Sequence, residues 1–587
     1  MEQTILKVLN NNKSITHIEN CSFIGVYFGK SYKYIYKFVY TFQTSDIPII
    51  IGIPEVWERQ LIDVYIENYK EIKYIPHLES NGKLCLFDLE GILIDKNFEG
   101  LLNQTIDRLN NTLMDGINEV NKGDFIEEFE LYWTLLPDVK ALKSMISPAK
   151  HTKLIKYSDN RKTVKKEKRD NYSDILKKEK NFILVSSDSE SDFIVYKDMN
   201  AIRNGIYIFI DAEEYIYPPD WRNKLDIDYI NNLLKHKSIN KIELLEQIRK
   251  CKGDLLLVFN IKQPNAYMNI FGVIINSFDI QVLSEVPHIN LYKELIPCSV
   301  RRCDKEYLLD RGGAISNLSD KKILVVGCGS IGGYLVNELV KTGIKNIMVV
   351  DDDILAEENI YRHILGMEYV REYKSKAIID YINKNIPKVN IKSIQDNIED
   401  SIYDESVTLS DYDLIISSVG NHNVNRFINE YVIANKIETP VIYMWNEVLG
   451  IGNHVAFISN KYDGCYECFF GRNDNEIIYD KTSFCEMGQS FTKKLFGCGS
   501  SFLPFSSVNS ITTVITGIEL IKNYFEERIC DNILISVKGD DYYFKEAGYE
   551  TSSRYKAQTN TKQKIEGKVF KKDSCLTCNG KKHEYLI

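Results

Sequence analysis

The feature that most constrains the fold is a glycine-rich turn between two apolar segments, within residues 321–353. Residues 323–326 form an unbroken apolar run, which is typical of a strand buried on both faces of a parallel sheet. Four glycines follow between positions 327 and 333. An amphipathic segment over residues 330–342 overlaps them, and a second apolar run ends in three aspartates. This order predicts a strand, a tight turn, a helix and a second parallel strand.

The same unit has the residue types that a nucleotide site needs. Gly327, Gly329 and Gly332 let the backbone approach a phosphate closely, and the start of the helix offers unpaired N–H groups to an anion. Asp351, at the end of the second apolar run, is placed to bind a ribose hydroxyl. We therefore expect nucleotide binding here, and the alternative is a tight strand–helix turn without a ligand.

Length and composition indicate a multidomain α/β protein around this unit. A chain of 587 residues is too long for one core, and we predict domains at residues 1–150, 151–300 and 301–587. The net charge of -9 argues against a direct nucleic-acid partner. Because we find no apolar run of membrane-spanning length and no signal-peptide core, we expect a cytoplasmic protein without a membrane partner. The 13 cysteines are then expected to be thiols, metal ligands or nucleophiles.

The first predicted domain combines strands with later helices, an α+β pattern. Strands are predicted at residues 22–28, 34–42 and 49–53, and helices at residues 97–120 and 124–136. Between them, residues 75–88 read IPHLESNGKLCLFD and contain His77, Gly82 and Cys85. Taken alone, Cys85 in an apolar run would be an ordinary buried thiol.

This segment resembles the active-site segment of ubiquitin-conjugating enzymes, which have a His-containing turn followed by G-x-[IL]-C-L and two further residues, here ending at Asp88. The resemblance implies an α+β ubiquitin-conjugating-enzyme-like domain in which Cys85 carries an acyl group as a thioester. Glu79 stands where the family has an asparagine that is thought to support the oxyanion. The resemblance therefore assigns no stabiliser to that step.

Residues 151–300 are predicted to form an α/β spacer domain without detectable chemistry. Residues 161–180 are a dense mixed-charge run, which is typical of a solvated linker or an exposed helix. Beyond this run, strands are predicted at residues 205–210, 255–259 and 272–275, and a helix at residues 229–251.

Polar residues at a defined spacing follow the first aspartate. Asp351, Asp353, Asn359, Arg362 and Lys376 fall in the order D-x-D, N-x-x-R and x-x-K-A. This order resembles the ThiF/MoeB superfamily, which includes ubiquitin-activating enzymes and adenylates protein C-termini. The resemblance implies a Rossmann-like adenylation domain in which Asp351 holds the ribose of ATP. Asn359, Arg362 and Lys376 would contact the phosphates and offset charge on the departing pyrophosphate.

Two departures from the superfamily pattern leave alternatives open. Tyr373 stands where the superfamily usually has glycine, so Lys374 is the alternative to Lys376. Gly420 stands where the superfamily often has an aspartate that binds magnesium. Mg²⁺ would then be held by Asp353 or by phosphate oxygens alone. For either lysine, the competing interpretation is a solvated helix face.

Two C-x-x-C pairs predict a metal site in the last domain. Cys465 and Cys468 form the first pair, and Cys575 and Cys578 form the second. Four thiolates in two pairs suit tetrahedral Zn²⁺, and a closed site of four cysteines is structural. A single pair could instead be redox-active.

Two further cysteines lie between these pairs, in a glycine- and serine-rich stretch before a helix predicted at residues 510–526. Activating enzymes of the superfamily place a thioester-forming cysteine on a crossover loop at this location. The resemblance implies that Cys498 has this role, with Cys485 as the second choice. The alternative is that both are buried structural thiols.

The order of the three domains resembles the ubiquitin-transfer-like fusion proteins of bacterial CBASS anti-phage operons. That resemblance implies that ATP adenylates a protein C-terminus, expected to be that of a cGAS-like nucleotidyltransferase. The acyl group would pass from Cys498 to Cys85 and then to a target amine, and the protein would be a homodimer. Two alternatives are a scaffold that binds partners without turnover and a dinucleotide-dependent oxidoreductase. The oxidoreductase has no use for Arg362 or Cys85.

Overall fold

The computed structural model describes residues 1–579 apart from residues 23–24, 44, 88–92, 160–182, 187–201, 284–285, 315–317, 387–388, 473–476, 492, 495–500 and 503. The chain divides into two compact units, Met1–Asp304 and Lys305–Ile587. Among the described helices, none has both the length and the apolar content needed to cross a membrane.

The first unit begins with an antiparallel sheet in the order β1-β4-β5-β6-β7. Its strands, with a small hairpin of β2 and β3, are β1 (Ile15–Asn20), β2 (Val26–Tyr27), β3 (Lys30–Ser31), β4 (Tyr34–Phe42), β5 (Ser45–Ile53), β6 (Asp63–Ile66) and β7 (Lys83–Leu84). The first predicted strand, residues 22–28, is largely wrong: of its described residues, the structure has Val26–Tyr27 as strand. The edge strand β1 was not predicted, because its exposed positions break the apolar alternation.

Four helices accompany this sheet: α1 (Glu2–Asn11), α2 (Phe98–Ile117), α3 (Asp124–Glu127) and α4 (Phe129–Thr134). The long helix α2 begins where the Asn97 side chain accepts a hydrogen bond from the Gly100 N–H. The single helix predicted at residues 124–136 is two short helices, α3 and α4. On α4, the buried Trp133 indole donates to the Cys298 carbonyl at 3.1 Å and packs on Phe271.

The predicted spacer is built around a closed barrel in the order β10-β8-β16-β13-β12-β11-β9. The barrel strands are β8 (Lys140–Ser144), β9 (Lys153–Asp159), β10 (Ile183–Ser186), β11 (Ile202–Asp211), β12 (Leu255–Lys262), β13 (Met268–Asn276) and β16 (Glu294–Arg302). A separate two-stranded sheet is formed by β14 (Asp279–Leu283) and β15 (Val286–Leu291). The predicted helix at residues 229–251 is two helices, α5 (Ile227–Leu234) and α6 (Lys241–Arg249). Asn240 starts the second by accepting a hydrogen bond from the Glu243 N–H.

The second unit is organised by an eight-stranded sheet in the order β19-β18-β17-β20-β21-β22-β27-β28. The first five of these strands are parallel and the last three are antiparallel. The strands of this unit are β17 (Lys322–Val326), β18 (Asn346–Val350), β19 (Asn390–Ile394), β20 (Leu414–Ser417), β21 (Val441–Asn446), β22 (Gly452–Ile458), β23 (Phe470–Arg472), β24 (Ile478–Asp480), β25 (Lys493–Lys494), β26 (Ser501–Phe502), β27 (Ile533–Lys538) and β28 (Lys562–Glu566).

Helices pack on both faces of the sheet, as the unbroken apolar strands predict. The helices of this unit are α7 (Lys305–Arg311), α8 (Ser330–Lys341), α9 (Lys374–Asn385), α10 (Ile398–Tyr403), α11 (His422–Ala434), α12 (Ser507–Phe525), α13 (Tyr542–Glu546), α14 (Ser553–Ala557) and α15 (Gly567–Phe570). Ile323 and Val325 of β17 pack in the core that contains α8, α9 and α12, and Leu324 and Val326 pack in the core that contains α10 and α11. The parallel half of the sheet is the Rossmann-like unit predicted from the glycine turn.

Candidate nucleotide, thiol and metal sites

The glycine turn adopts the close-packed geometry that the sequence predicts. Gly327 has φ +88°, which favours glycine, and a Cβ at Gly332 would lie 2.0 Å from the Gly327 carbonyl oxygen. Helix α8 begins directly after Gly329, where an added side chain would meet no atom within 4 Å. The turn therefore leaves space for an anion beside the first N–H groups of a twelve-residue helix.

Asp351 lines a cleft of about 210 Å³ beside this turn. Its carboxylate accepts hydrogen bonds from the backbone N–H groups of Cys328 and Asp353, and burial raises its pKa. The cleft is lined by Val326, Gly327, Gly329, Val350, Asp351, Asp352, Asp353, Asp396, Asn397, Ile398, Glu399, Ser418, Val419, Gly420 and Val424. An acid fixed by two backbone donors, next to a glycine turn, fits the ribose and phosphates of a nucleotide.

The other predicted phosphate contacts lie outside the lining of this cleft. Asn359 ends a 3-10 turn, where its side chain accepts a hydrogen bond from the Ala356 N–H at 3.1 Å. The Arg362 guanidinium lies 5.3 Å from the centre of the Phe505 ring. Lys376 is exposed on the first turn of α9, whereas Lys374 is buried and pairs with Asp353 at 2.8 Å. Of the two lysines, Lys374 is therefore the one attached to the predicted acid pair.

Two residues that support the turn were not identified from the sequence. His363 is buried, and its Nε2 lies 2.8 Å from the Cys328 carbonyl while its Nδ1 accepts the Leu365 N–H. Burial lowers the pKa of His363 to about 4, so this imidazole is neutral at pH 7. The Ser418 hydroxyl donates to the Gly327 carbonyl at 2.8 Å. A single histidine and a single serine in apolar surroundings have no sequence signal that distinguishes them from core residues.

Cys85 is exposed at the end of the segment that resembles a conjugating-enzyme active site. Its N–H donates to the His77 carbonyl at 2.9 Å, and His77 itself has φ +63°. The His77 imidazole pairs with Asp124 at 3.0 Å. Gly82 is required at its position, because it has φ +82° and a Cβ would lie 2.5 Å from a backbone oxygen. The exposure and the constrained backbone suit a nucleophile better than the buried thiol considered from the sequence.

An arginine side chain contacts the two residues that directly follow Cys85. Arg108 of α2 donates to the Leu86 carbonyl at 2.9 Å and lies 4.5 Å from the centre of the Phe87 ring. Glu79 is part of the turn before Cys85, where its carbonyl accepts the Gly82 N–H. Asp88, the last residue of the motif, lies outside the described residues. Arg108 was not singled out from the sequence, because it is 23 positions from Cys85.

The structure describes one of the two candidate cysteines of the crossover loop, Cys485. Cys498 lies outside the described residues. Cys485 is buried, and its thiol contacts a Glu447 carboxylate oxygen at 3.0 Å. Burial, together with the nearby Glu447 charge, raises the pKa of the Cys485 thiol well above its ordinary range. A thiol held protonated in this way is a poor nucleophile.

The four cysteines of the two C-x-x-C pairs meet in one cluster. Their sulfur atoms all lie within 4.8 Å of one another, and the closest pairs are separated by 3.7, 3.8 and 4.0 Å. Tetrahedral Zn²⁺ with Zn–S bonds of about 2.3 Å requires sulfurs about 3.8 Å apart. The cluster, Cys465, Cys468, Cys575 and Cys578, therefore fits a closed structural zinc site that joins the chain after β22 to the chain after α15.

Two parts of the chain match models of known protein families. Residues 308–534 match the ThiF family, and residues 21–142 match prokaryotic E2 family B. The chain therefore carries a prokaryotic E2 domain and a ThiF domain. Both expected resemblances are confirmed.

Individual relatives match part of the chain. The ATP-dependent ubiquitin transferase-like protein Cap2 of Pseudomonas aeruginosa is 28% identical over 235 residues, 39% of this chain and 40% of that protein. Cap2 of Escherichia coli is 27% identical over 237 residues, 39% of each chain. The chain thus spans about two fifths of the length of these relatives. The match to the solved structure of Escherichia coli MccB with ATP covers 47% of this chain and 70% of the MccB chain, at 16% identity. Its TM-score of 0.31 is too low to support an inference.

Proposed function

We propose that this protein activates a protein C-terminus with ATP and conjugates it to an amine. The observation that carries the proposal is the combination, in one chain, of a nucleotide cleft in a ThiF domain and an exposed Cys85 thiol in an E2 domain. A dinucleotide-dependent oxidoreductase would use the cleft but would leave that thiol without a role. The name of the Cap2 relatives, ATP-dependent ubiquitin transferase-like, agrees with this chemistry.

In the proposed first step, an oxygen of the donor carboxylate attacks the α-phosphorus of ATP, and pyrophosphate leaves as the acyl-adenylate forms. Asp351 binds the ribose, and the N-terminus of α8 faces the phosphates. Asn359 donates to the phosphates, and Arg362 and Lys376 offset the charge on the departing pyrophosphate. Lys374, which pairs with Asp353, is the alternative to Lys376. For the Mg²⁺ ion that accompanies ATP, we propose the exposed carboxylate of Asp353 as the protein ligand.

Two thioesters follow in the proposed sequence. The Cys498 thiolate attacks the acyl carbon and AMP leaves. The Cys85 thiolate then takes the acyl group and frees the Cys498 thiol, and an amine attacks the second thioester to form an amide and release Cys85. Joining both nucleophiles in one chain raises their effective concentration. The donor is proposed to be a cGAS-like nucleotidyltransferase in a CBASS system. That the protein forms a homodimer stays a prediction.

Replacing Arg362 tests the adenylation step. Arg362→Ala is expected to lower ATP–pyrophosphate exchange with the donor protein by about 100-fold or more, because it removes a charge that stabilises the departing pyrophosphate. Arg528→Ala is the matched control, since Arg528 is an exposed arginine of the same unit that pairs with Glu526. Exchange at the wild-type rate in Arg362→Ala would contradict the assignment.

A pair of cysteine variants tests the first thioester. Cys498→Ala is expected to keep pyrophosphate exchange but to load neither cysteine, because adenylation does not need a thiol. Cys485→Ala is expected to load within a few-fold of wild type, because its thiol is buried and protonated. Non-reducing gels of each variant with ATP and donor, beside reduced duplicates, measure the loading. The reverse result would assign the thioester to Cys485 and leave the reaction class unchanged.

A further inference from the structure

A cavity of about 450 Å³ lies in the second unit, apart from the nucleotide cleft, and its volume is that of a small-molecule site. It is lined by the second half of α11, the loop before β21 and the chain after β22. Val441, the first residue of β21, pairs with Ile458, the last residue of β22, at this end of the sheet. Because β17, β18, β20 and β21 are parallel, the cleft at Asp351 lies at the opposite end of these strands. The two spaces share no lining residue.

Two buried polar side chains in the wall of this cavity each have an atom without a hydrogen-bond partner. Tyr443 is fully buried, and none of the described residues pairs with its hydroxyl. Asn429 is 2% exposed, and within the described part of the chain its Nδ2 is also unpaired. A buried polar group without a partner costs free energy, and native proteins leave few of them. The two atoms therefore point to a bound molecule that completes their hydrogen bonds.

Contacts on their other sides fix what these two groups can offer. The Asn429 Oδ1 accepts a hydrogen bond from the Tyr466 N–H at 3.1 Å, so the orientation of the amide is set and Nδ2 can only donate. The Tyr443 ring packs on the Tyr466 ring, with the ring centres 4.2 Å apart. Burial raises the pKa of Tyr443 well above its ordinary range, which keeps the O–H protonated. Both groups can therefore donate, and a carbonyl oxygen is an acceptor that matches them.

The rest of the lining is aliphatic, with charged groups where the cavity meets the solvent. The aliphatic residues are Val432, Ile433, Ile437, Val441 and Ile458. Lys436 and Lys461 are exposed, and neither forms an ion pair with a described residue. Glu438 is exposed as well, so two positive charges stand against one negative charge and the lining has a net charge of +1. The charged groups therefore favour an anion, and the aliphatic residues favour an apolar body.

We propose that this cavity binds an acylated aliphatic amino acid, which carries an amide carbonyl, a branched aliphatic side chain and a carboxylate. The carbonyl accepts hydrogen bonds from Tyr443 and Asn429, and the side chain packs on the aliphatic lining. The carboxylate faces Lys436 and Lys461. The last residue of a peptide has the same chemistry. This site goes beyond the proposed function, because none of its residues takes part in adenylation or in either thioester.

N-acetyl-leucine is the probe for the inner hydrogen bonds. The full-length protein, without ATP or donor, is expected to bind it saturably in isothermal titration calorimetry. Tyr443→Phe is expected to weaken binding by about 10-fold, because the carbonyl loses one of its donors. Tyr542→Phe is the matched control, since Tyr542 is an exposed tyrosine of the same unit, and it should bind as the wild type does. Equal affinity in the two variants would overturn the proposal.

Two ligands that each lack one group test which end of the molecule meets which side chains. Tyr443→Phe should not weaken binding of 4-methylpentanoate, which has no amide carbonyl. Lys436→Gln and Lys461→Gln should each weaken binding of N-acetyl-leucine by a few-fold and leave binding of N-acetyl-leucinamide, which has no carboxylate, unchanged. Lys545→Gln, at an exposed lysine of the same unit, is the control for these two variants. Losses of the same size for the full ligand and for its truncated forms would contradict the proposal.

The stability of Tyr443→Phe separates a ligand contact from a structural one. Because the hydroxyl has no described partner, its removal should not lower the midpoint of denaturant unfolding of the free protein. A lower midpoint with unchanged affinity for N-acetyl-leucine would show that the hydroxyl serves the fold, and it would overturn the proposal. If Tyr443→Phe does not fold, the two lysine variants decide.

A short peptide distinguishes the two sources of this chemistry. Acetyl-alanyl-alanyl-leucine has the same last residue as N-acetyl-leucine and two more residues before it. Binding about 10-fold tighter than that of N-acetyl-leucine would support the site and assign it to a peptide C-terminus. Equal or weaker binding, with N-acetyl-leucine bound, would support the site as one for a single acylated amino acid. If neither compound binds saturably, the proposal is wrong.

Discussion

Cys85→Ala is expected to abolish the final conjugate while a reducible thioester still accumulates on the ThiF domain. The reason is that each transfer needs its own thiolate, and removal of the second nucleophile leaves the acyl group at the first. Non-reducing and reducing gels of the variant with ATP, donor and target measure both species. The amount of conjugate should fall by at least 100-fold.

The control for this variant is Cys303→Ala, which removes a half-buried thiol from the same unit without touching the proposed route. It should make wild-type amounts of conjugate. If Cys85→Ala makes conjugate as well as this control does, the E2 domain is a binding module and the scaffold alternative describes that end of the chain. The order of transfer from Cys498 to Cys85 would then be wrong.

Replacing one cysteine of the metal cluster is expected to have the second large effect, on stability. Cys575→Ser should reduce bound zinc to well below one equivalent and destabilise the second unit by on the order of 5 kcal/mol or more, because metal binding contributes directly to folding free energy. Elemental analysis without chelator and denaturant unfolding measure the two effects. The chain after α15, which supplies two of the four sulfurs, should be the first to lose its attachment.

Cys530→Ser is the matched control for the metal, since Cys530 is an exposed thiol of the same unit. It should keep one equivalent of zinc and the wild-type unfolding midpoint. Wild-type protein that contains no zinc when purified without chelator would contradict the metal assignment. The cluster would then be a group of buried thiols.

The sequence alone was enough to predict the features that depend on local patterns. The apolar run of β17, the glycines after it and the aspartates after β18 define a parallel unit with a nucleotide cleft. The residues that form each of these features lie close together in the chain. The two C-x-x-C pairs predicted a shared cluster because their chemistry demands four ligands. The motif around Cys85 predicted a nucleophile because Gly82 and the preceding turn lie within nine residues of it.

The tertiary structure decided which single residues contact the predicted site residues. Lys374 rather than Lys376 pairs with Asp353, because the start of α9 buries one side chain and exposes the other. Glu447 is one glutamate among many in the sequence, but its carboxylate accepts hydrogen bonds from the N–H groups of Phe484 and Cys485, 37 and 38 positions away. The sequence predicted only an α/β spacer, whereas the structure has a closed barrel there. Closure of a barrel depends on pairing between strands that lie far apart in the chain. Local patterns report what a segment can form, but contacts between distant segments depend on how the whole unit packs.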